Sequence, residues 1–594
     1  LFAAILNLDR RPVALDLDAA SLEVRVVGRG GHVAFAWSTL QPSPEKSSIA
    51  SLGDRYWIVG RIRLDARRAL QARLAARLDG ADVSDALLCL HAYAAWGEGF
   101  VDFLAGDFSF ALWDDERDRL VCARDQLGVR SLFHATAGES WLVSDSLGWI
   151  ASRPSLGHEL DDCWIADFLT SGFCVDFERT IYRDIHRLAP AHILAVSDSG
   201  VTTRRYWRLE IAEPIYYGHS RVYGERFREL VSQAISDRLP AGRVGIAMSG
   251  GLDSTALAAL SVETTGDPSH VVAECYHFET LMDDEEKHYS SLAARHIGID
   301  LRLRAIDDRA YDPQWRARSI VLPEPSLAIL NAHNDRLFST AMAADASVWF
   351  YGEGPDNALL LERDAYFSWL AGRRDWAKLA TAFFQYAVAK GGGGWFTTLQ
   401  RRTRRRGPML ARDEAPAWMD RDLAERVNLS QRLHVAAYSR EPLHPWHPRA
   451  MASFNSAIWQ KVLGELDGGE SGMPFAWRHP YLDLRVLDFM LSVPPVPWGW
   501  EKRLLRQSMR GRLPAAILHR KKAALAKSPI LQTIAREGLP RLARQDRLGR
   551  YVDLDKLPVG DFGDAGQWAD PLQVMAVHAL DHWLETHDSF GGRR

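Results

Sequence analysis

The stretch from Arg243 to Ile306 restricts the fold more than any other part of the chain. An apolar run, Arg243–Met248, passes through a glycine-rich turn, Ser249–Ser254, into a helix opened by Thr255–Leu260. Val271–Phe278 then reads as a second strand, Asp283–His296 as a helix, and Leu301–Ile306 as a third strand. Strands separated by helices cannot pair through tight hairpins, so this order specifies a parallel sheet covered by helices. Ala346–Tyr351 supplies a further strand followed by a loop, Arg221–Asp237 a preceding helix, and the rest of the chain reads as added helices.

Upstream the pattern differs. Short apolar runs such as Leu22–Val27, Tyr56–Ile62, Phe108–Trp113, Arg119–Ala123 and Trp141–Ser144 are separated by Gly, Asp and Arg. Two stretches with helical spacing, Arg67–Leu78 and Val83–Trp96, interrupt them. Strands and helices without strict alternation predict an α+β domain over residues 1–207, followed by an α/β domain over 208–594. A chain of 594 residues is too long for one core in any case.

Composition narrows the partners. With 47% hydrophobic and 25% charged residues the chain is globular, and a net charge of −4 gives no reason to expect nucleic acid. No stretch of about 18 apolar residues is present to span a membrane. Leu1–Leu8 is apolar but lacks a basic flank, so it does not read as a signal peptide. The five cysteines are dispersed without a CxxC pair, which excludes a disulfide scaffold and fits the cytoplasm. An insertion over about 360–440 carries Lys390–Gly394 and Arg401–Arg406. It reads as a solvated basic surface or, more specifically, a docking strip for an acidic segment.

The chemistry sits where the first parallel strand ends, at Ser249-Gly250-Gly251-Leu252-Asp253-Ser254-Thr255. Two glycines allow close backbone approach to an anion, the hydroxyls add donors, and the helix aims its N-terminal amides at the same point. No Lys follows the glycines, so this is not a Walker A loop. With Asp253 placed to hold Mg²⁺, the turn suits a pyrophosphate that leaves.

This turn resembles the pyrophosphate loop of the ATP-pyrophosphatase superfamily, in its asparagine-synthetase branch, and the resemblance extends over nearly the whole chain. Tyr351-Gly352-Glu353-Gly354-Pro355-Asp356-Asn357 is similar to the family's acidic loop G-E-G-S-D-E, departing at Pro355 and Asn357. By that match Asp356 joins Asp253 at magnesium, and Gly352 borders the nucleotide. Arg478–Asp483 resembles R-x-P-(F/Y)-L-D, Glu501–Arg506 resembles E-K-x-L-L-R, and Arg520-Lys521-Lys522 an R-x-K turn; Ala476 stands where the family often has Glu. The resemblance implies ATP and Mg²⁺ as cofactors and adenylation of a carboxylate with release of pyrophosphate. Lys502, Lys521, Lys522 and Lys527 gather in one region, and Lys522 is the choice for stabilising the α-phosphate or the developing oxyanion. Glu353 is placed to orient or deprotonate an attacking amine, or else forms a structural ion pair. Arg478 is a catalytic candidate, with a packed pair to Asp483 as the alternative.

Residues Phe103–Asp114 and Arg124–Arg130 resemble the family's glutaminase domain, an Ntn-hydrolase-like αββα sandwich. That activity needs an N-terminal Cys, whereas this sequence begins Leu1-Phe2-Ala3-Ala4. The family's N-G-E-I-Y-N loop is Val59-Gly60-Arg61-Ile62-Arg63-Leu64 here, so the oxyanion-hole Asn is missing as well. The expectation is a degenerate glutaminase whose partner domain takes its amine from elsewhere. β-lactam synthetases and lasso-peptide cyclases have that layout. Pro442–Pro448, Trp459-Gln460 and His479–Arg485 look most like the cyclases. His444 and His447 have ligand-like spacing, but the intervening prolines assign them to loop packing.

The expected function is therefore ATP-dependent macrolactam formation. A core peptide's Asp or Glu side chain is adenylated and captured by the peptide's own α-amine, after a partner protease has removed the leader. The alternatives are a β-lactam-type synthetase, an asparagine synthetase using free ammonia, and a non-catalytic scaffold.

Overall fold

The computed structural model describes the chain except for residues 14–21, 39–47, 79–82, 309–310, 319, 390–414, 439–442, 522–527, 544, 558–568 and 592–594. Lys522 and Lys527, Lys390–Gly394 and Arg401–Arg406 lie outside the described residues, as does Pro442.

The first part of the chain forms two antiparallel six-stranded sheets. One contains Phe2–Asn7, Leu22–Val27, Val33–Ser38, Phe133–Ala137, Ser140–Ser144 and Ile185–Arg187. The other contains Ser48–Leu52, Tyr56–Leu64, Gly106–Asp114, Arg119–Arg124, His192–Ser197 and Gly200–Arg205. Phe2, Phe35, Trp57, Val59, Trp113 and Leu194 interleave between the sheets in one apolar layer. Helix Asp85–Trp96 covers the outer face of the second sheet, and Leu147–Ala151 and Asp162–Ser171 cover the first. This is the expected α-β-β-α sandwich. The expected helix Arg67–Leu78 is two helices, Arg67–Arg73 and Ala75–Leu78, broken at Leu74.

The second part is built on a five-stranded parallel sheet. In chain order its strands are Val244–Ala247, Val271–His277, Asp300–Ala305, Val348–Phe350 and Ala476–Arg478. In space they lie third, second, first, fourth, fifth. The chain therefore steps outward on one side of Val244–Ala247 and returns on the other. Ligands of open α/β sheets bind at that reversal, beyond the carboxyl ends of the strands. Here the reversal lies between the strands Val244–Ala247 and Val348–Phe350, which lead into Ser249 and Tyr351. Gly245 makes the packing of these two strands possible: a Cβ there would lie 2.2 Å from the ring of Trp349 on the adjacent strand.

Among the described residues, no helix is long and apolar enough to cross a membrane.

Candidate active site

The glycine-rich turn is organised by its own side chains. Helix Leu252–Thr265, N-capped by Gly251, starts three residues earlier than the sequence pattern suggests, which places Asp253 in its first turn. Ser254 Oγ donates to the Ser249 carbonyl at 3.0 Å, and the Gly251 amide donates to Ser249 Oγ at 3.2 Å. Thr255 is fully buried, and its hydroxyl donates to the carbonyls of Gly251 and Leu252, so it shapes the turn from behind. The Gly250 amide donates to the Glu286 carboxylate, whose other oxygen is 3.0 Å from the Arg520 guanidinium. A loop amide that receives a carboxylate is an anion-accepting position, which is what a phosphate requires.

The acidic loop follows strand Val348–Phe350. Gly352 packs on the backbone of Asp253 and Ser254, its Cβ position 3.5 Å from the Ser254 nitrogen. Gly354, with φ +128°, turns the chain into the short helix Pro355–Ala358. The two departures from the family pattern have local explanations. Pro355 occupies the first helical position, where no amide hydrogen is needed. Asn357 Nδ2 donates to Ser453 Oγ at 2.7 Å. Glu353 lies half-buried between the two glycines.

Lys502 joins the loops. Its ammonium contacts Asp253 Oδ2 and lies 2.7 Å from Asp356 Oδ1, so the two expected metal carboxylates converge on one cation. Lys502 and Glu501 both adopt left-handed backbone conformations, with φ of 54° and 46°. Such residues are strained by about 1–3 kcal/mol each and concentrate at functional sites. Arg506 holds the strained turn by donating to the Glu501 carbonyl at 2.6 Å, and it ties in the next segment through the carbonyls of Leu518 and Arg520. Tyr481 supports the glycine loop from below, its hydroxyl donating to the Asp253 carbonyl at 3.0 Å.

Arg478 lies elsewhere. Its guanidinium donates to the Arg238 carbonyl, and burial beside Arg63, Arg130 and Arg238 lowers its pKa. It belongs to a buried ion cluster between the two parts of the chain. There Arg61 bonds Asp145 at 2.6 Å and Asp467 at 2.5 Å, and Arg130 bonds Asp467 at 2.8 Å. Arg63 holds Asp65 and Asp107, and Arg238 bridges Asp65 to Asp483 at 2.7 Å each. Asp65, Asp237 and Asp483 converge closely enough to suggest a metal, but Arg238 and Arg485 already hold them. His444 and His447 pack in a loop: His444 Nδ1 accepts the His447 amide, and His447 is buried against Trp446 and Glu362.

A cavity of about 1110 Å³ opens at the strand ends. Ala247, Tyr276, Tyr351 and Trp477 form its sheet-side wall, and Trp164, Phe168 and Phe173 of the sandwich also line it.

A glutamine amidotransferase domain family matches residues 64–207, and the asparagine synthase family matches residues 226–585, more than half of the chain. The chain belongs to the asparagine synthase family. Like other members of that family it is an ATP-dependent ligase that forms amide bonds with release of AMP. It is 24% identical over 519 residues to "Asparagine synthetase [glutamine-hydrolyzing] 3" of Bacillus subtilis, covering 84% of this chain and 80% of that relative. It is 26% identical over 307 residues to "Amidase chyE" of Penicillium rubens, covering 48% of this chain and 44% of that protein. It is 20% identical over 466 residues to "Asparagine synthetase [glutamine-hydrolyzing] 2" of B. subtilis, covering 74% and 58%.

Within this family member, Ser249, Gly250, Gly251, Asp253, Ser254, Gly352 and Asp356 are gathered at the carboxyl ends of two central strands, with Glu353 on the same loop. The sequence places Lys502 in the E-K-x-L-L-R element and among four clustered lysines, but not at Asp253 and Asp356. Glu286 and Arg520 were missed as partners of the glycine loop, since they sit far from it in sequence.

Proposed function

We propose that this enzyme closes a peptide into a macrolactam, as a lasso-peptide cyclase does. The observation that carries the reading is the cavity. Its 1110 Å³ exceeds the roughly 300–1,000 Å³ of ordinary small-molecule sites, and it runs from Ala247 and Tyr351, at the strand ends beside the two loops, to the sandwich.

A second observation argues against ammonia. Where glutaminases carry the oxyanion-hole Asn this chain has Val59, and the neighbouring Arg61 is locked between Asp145 and Asp467. None of the five cysteines is an activated thiol: burial raises the pKa of Cys89, Cys122, Cys163 and Cys174, and pushes Cys275 up to about 12.

In this reading a side-chain carboxylate of the peptide attacks the α-phosphorus of ATP and expels pyrophosphate. The peptide's α-amine then attacks the acyl carbon, gives up a proton to Glu353, and releases AMP. The peptide loses one water, whose oxygen leaves in AMP. Asp253 and Asp356 would hold Mg²⁺, which offsets the charge of the departing pyrophosphate; their convergence on the Lys502 ammonium marks them as a cation-binding pair. The Gly250 and Gly251 amides and Lys502 would hold the phosphates. The likeness of the 442–448 stretch to cyclases supports a core peptide as substrate and a leader-removing protease as partner.

The test is incubation with ATP and a pool of synthetic peptides, each with a free N-terminus and one internal Asp or Glu. The expected result is loss of 18 Da from at least one peptide, matched by AMP, and its absence in Asp356→Asn. Turnover of aspartate with ammonium and none of any peptide would instead establish the asparagine synthetase reading.

A further inference from the structure

The glycine turn has a donor that its own chain already engages. The Gly250 amide donates to Glu286, the first residue of helix Glu286–Ile297, and the other oxygen of that carboxylate lies 3.0 Å from the Arg520 guanidinium. Arg520 does not depend on this bond for its place. Its guanidinium lies over the Tyr289 ring, 4.2 Å from the centroid, its side chain is only 9% exposed, and its carbonyl is held by Arg506 at 3.0 Å. A Cβ on Gly250 would lie 2.5 Å from Tyr289 Cβ and 2.7 Å from a guanidinium nitrogen of Arg520, so only glycine lets loop, ring and cation come together. Glu286 is the loose member of the group. Its side chain is 28% exposed and sits on a flexible stem in the first turn of its helix.

The chemistry of this contact is that of phosphate recognition. A loop amide and a guanidinium each take one oxygen of the same anion, and two phosphoryl oxygens would use the same two donors. Two anions cannot share them without repulsion. Glu285, 3.8 Å from Arg520 and 65% exposed, is a weaker second partner.

We propose that Glu286 competes with pyrophosphate for the Gly250 amide and Arg520, holding both donors between turnovers and turning to solvent when ATP delivers its phosphates. Arg520, already fixed on Tyr289, passes from the carboxylate to the phosphates. A seat held part of the time by an internal anion binds pyrophosphate with an affinity reduced by that fraction, which favours release of the product. The inference rests on the family's ATP-dependent chemistry and is independent of which amine or peptide the enzyme uses.

Inorganic pyrophosphate, titrated calorimetrically into the full chain in excess Mg²⁺, tests this without any acceptor substrate. Glu286→Gln keeps the size and removes the charge. It is expected to lower the Kd for pyrophosphate about tenfold, as for a seat otherwise open in about one molecule in ten. Arg520→Gln is expected to raise the Kd about tenfold, in the wild-type and the Glu286→Gln backgrounds alike. A carboxylate that merely braces the glycine turn gives the opposite sign for Glu286→Gln, because a loosened turn binds less well. Glu286→Asp keeps the charge but shortens its reach, and is expected to lower the Kd about threefold; it carries the test should the glutamine variant not fold. An unchanged or raised Kd in a folded Glu286 variant, or an unchanged Kd in Arg520→Gln, overturns the competition.

Discussion

Lys502 is held in a left-handed conformation with its ammonium between Asp253 and Asp356. A lysine is not kept in that state without compensation, and the compensation is a cation fixed where phosphate charge must be met. Lys502→Met keeps the length and removes the charge. It is expected to reduce AMP release by about 100-fold or more, the scale on which one fixed stabilising group acts, with a modest fall in thermal stability because Asp253 and Asp356 lose the cation between them. Release within threefold of wild type would show that the lysine is structural. Asp253 was legible from sequence because a carboxylate in the first turn after Ser-Gly-Gly faces the same anion as the loop amides. Asp356 was legible only through its motif. Lys502 was likewise legible only through its motif; its approach to Asp253, across 249 residues, was not, since no local pattern encodes it.

Short elements carry the site, and short elements are the hardest to read. The alternation of strands and helices predicts four parallel strands, yet Ala476–Arg478 adds a fifth of three residues, too brief for any periodicity. In the sandwich, Phe2–Asn7 and Val33–Ser38 are buried on nearly every residue, so neither shows the in-out alternation that identifies a strand. The element most sensitive to one substitution is the single-turn helix Pro355–Ala358, which presents Asp356. Its entry depends on Gly354, where φ is +128° and a Cβ would meet Tyr481 Cβ at 3.1 Å. Gly354→Ala is therefore expected to cost about 1–3 kcal/mol and to reorient Asp356. The melting temperature should fall, and ATP–pyrophosphate exchange should fall by a larger factor than stability explains. An unaltered exchange rate would mean that the turn tolerates a side chain.

At the scale of the whole molecule, dividing the sequence near residue 207 does not divide the packing. One apolar core joins Ile165, Phe168 and Leu169 to Trp315, Leu423 and the C-terminal helix residues Val577, Leu580 and Leu584. The buried Arg61–Asp467–Arg130 bridge ties the halves a second time. Removing one partner of such a pair strands the other charges, typically at about 3–5 kcal/mol. Asp467→Ala should accordingly lower the melting temperature of both halves in one transition; an unchanged melt would disprove the tie. Acid should act on the same frame. Burial keeps His479 neutral, with its pKa pushed down to about 4, and His578 likewise to about 4; His134 falls to about 3. In the unfolded chain each would titrate near 6.5. From pH 6.5 downward the unfolded state therefore takes up protons that the folded state refuses, and stability drops by up to about 1.4 kcal/mol per pH unit for each histidine. Asp125 works in the opposite sense. Burial raises its pKa to about 7, so the folded state takes up one proton that the unfolded state lacks until well below pH 5. Burial also raises the carboxyls of Asp167, Glu274, Glu324 and Asp488, and lowers His91, His192, His444 and His582. Because the histidines of the unfolded chain titrate between pH 7 and about 5, whereas its carboxyls titrate below about 5, the histidines set a net loss over that range. The melting temperature should fall as pH goes from 7 to 5, and the fall should be shallower in His578→Gln. A melting temperature that rises toward pH 5 would show that the raised carboxyls, not the neutral histidines, govern acid stability.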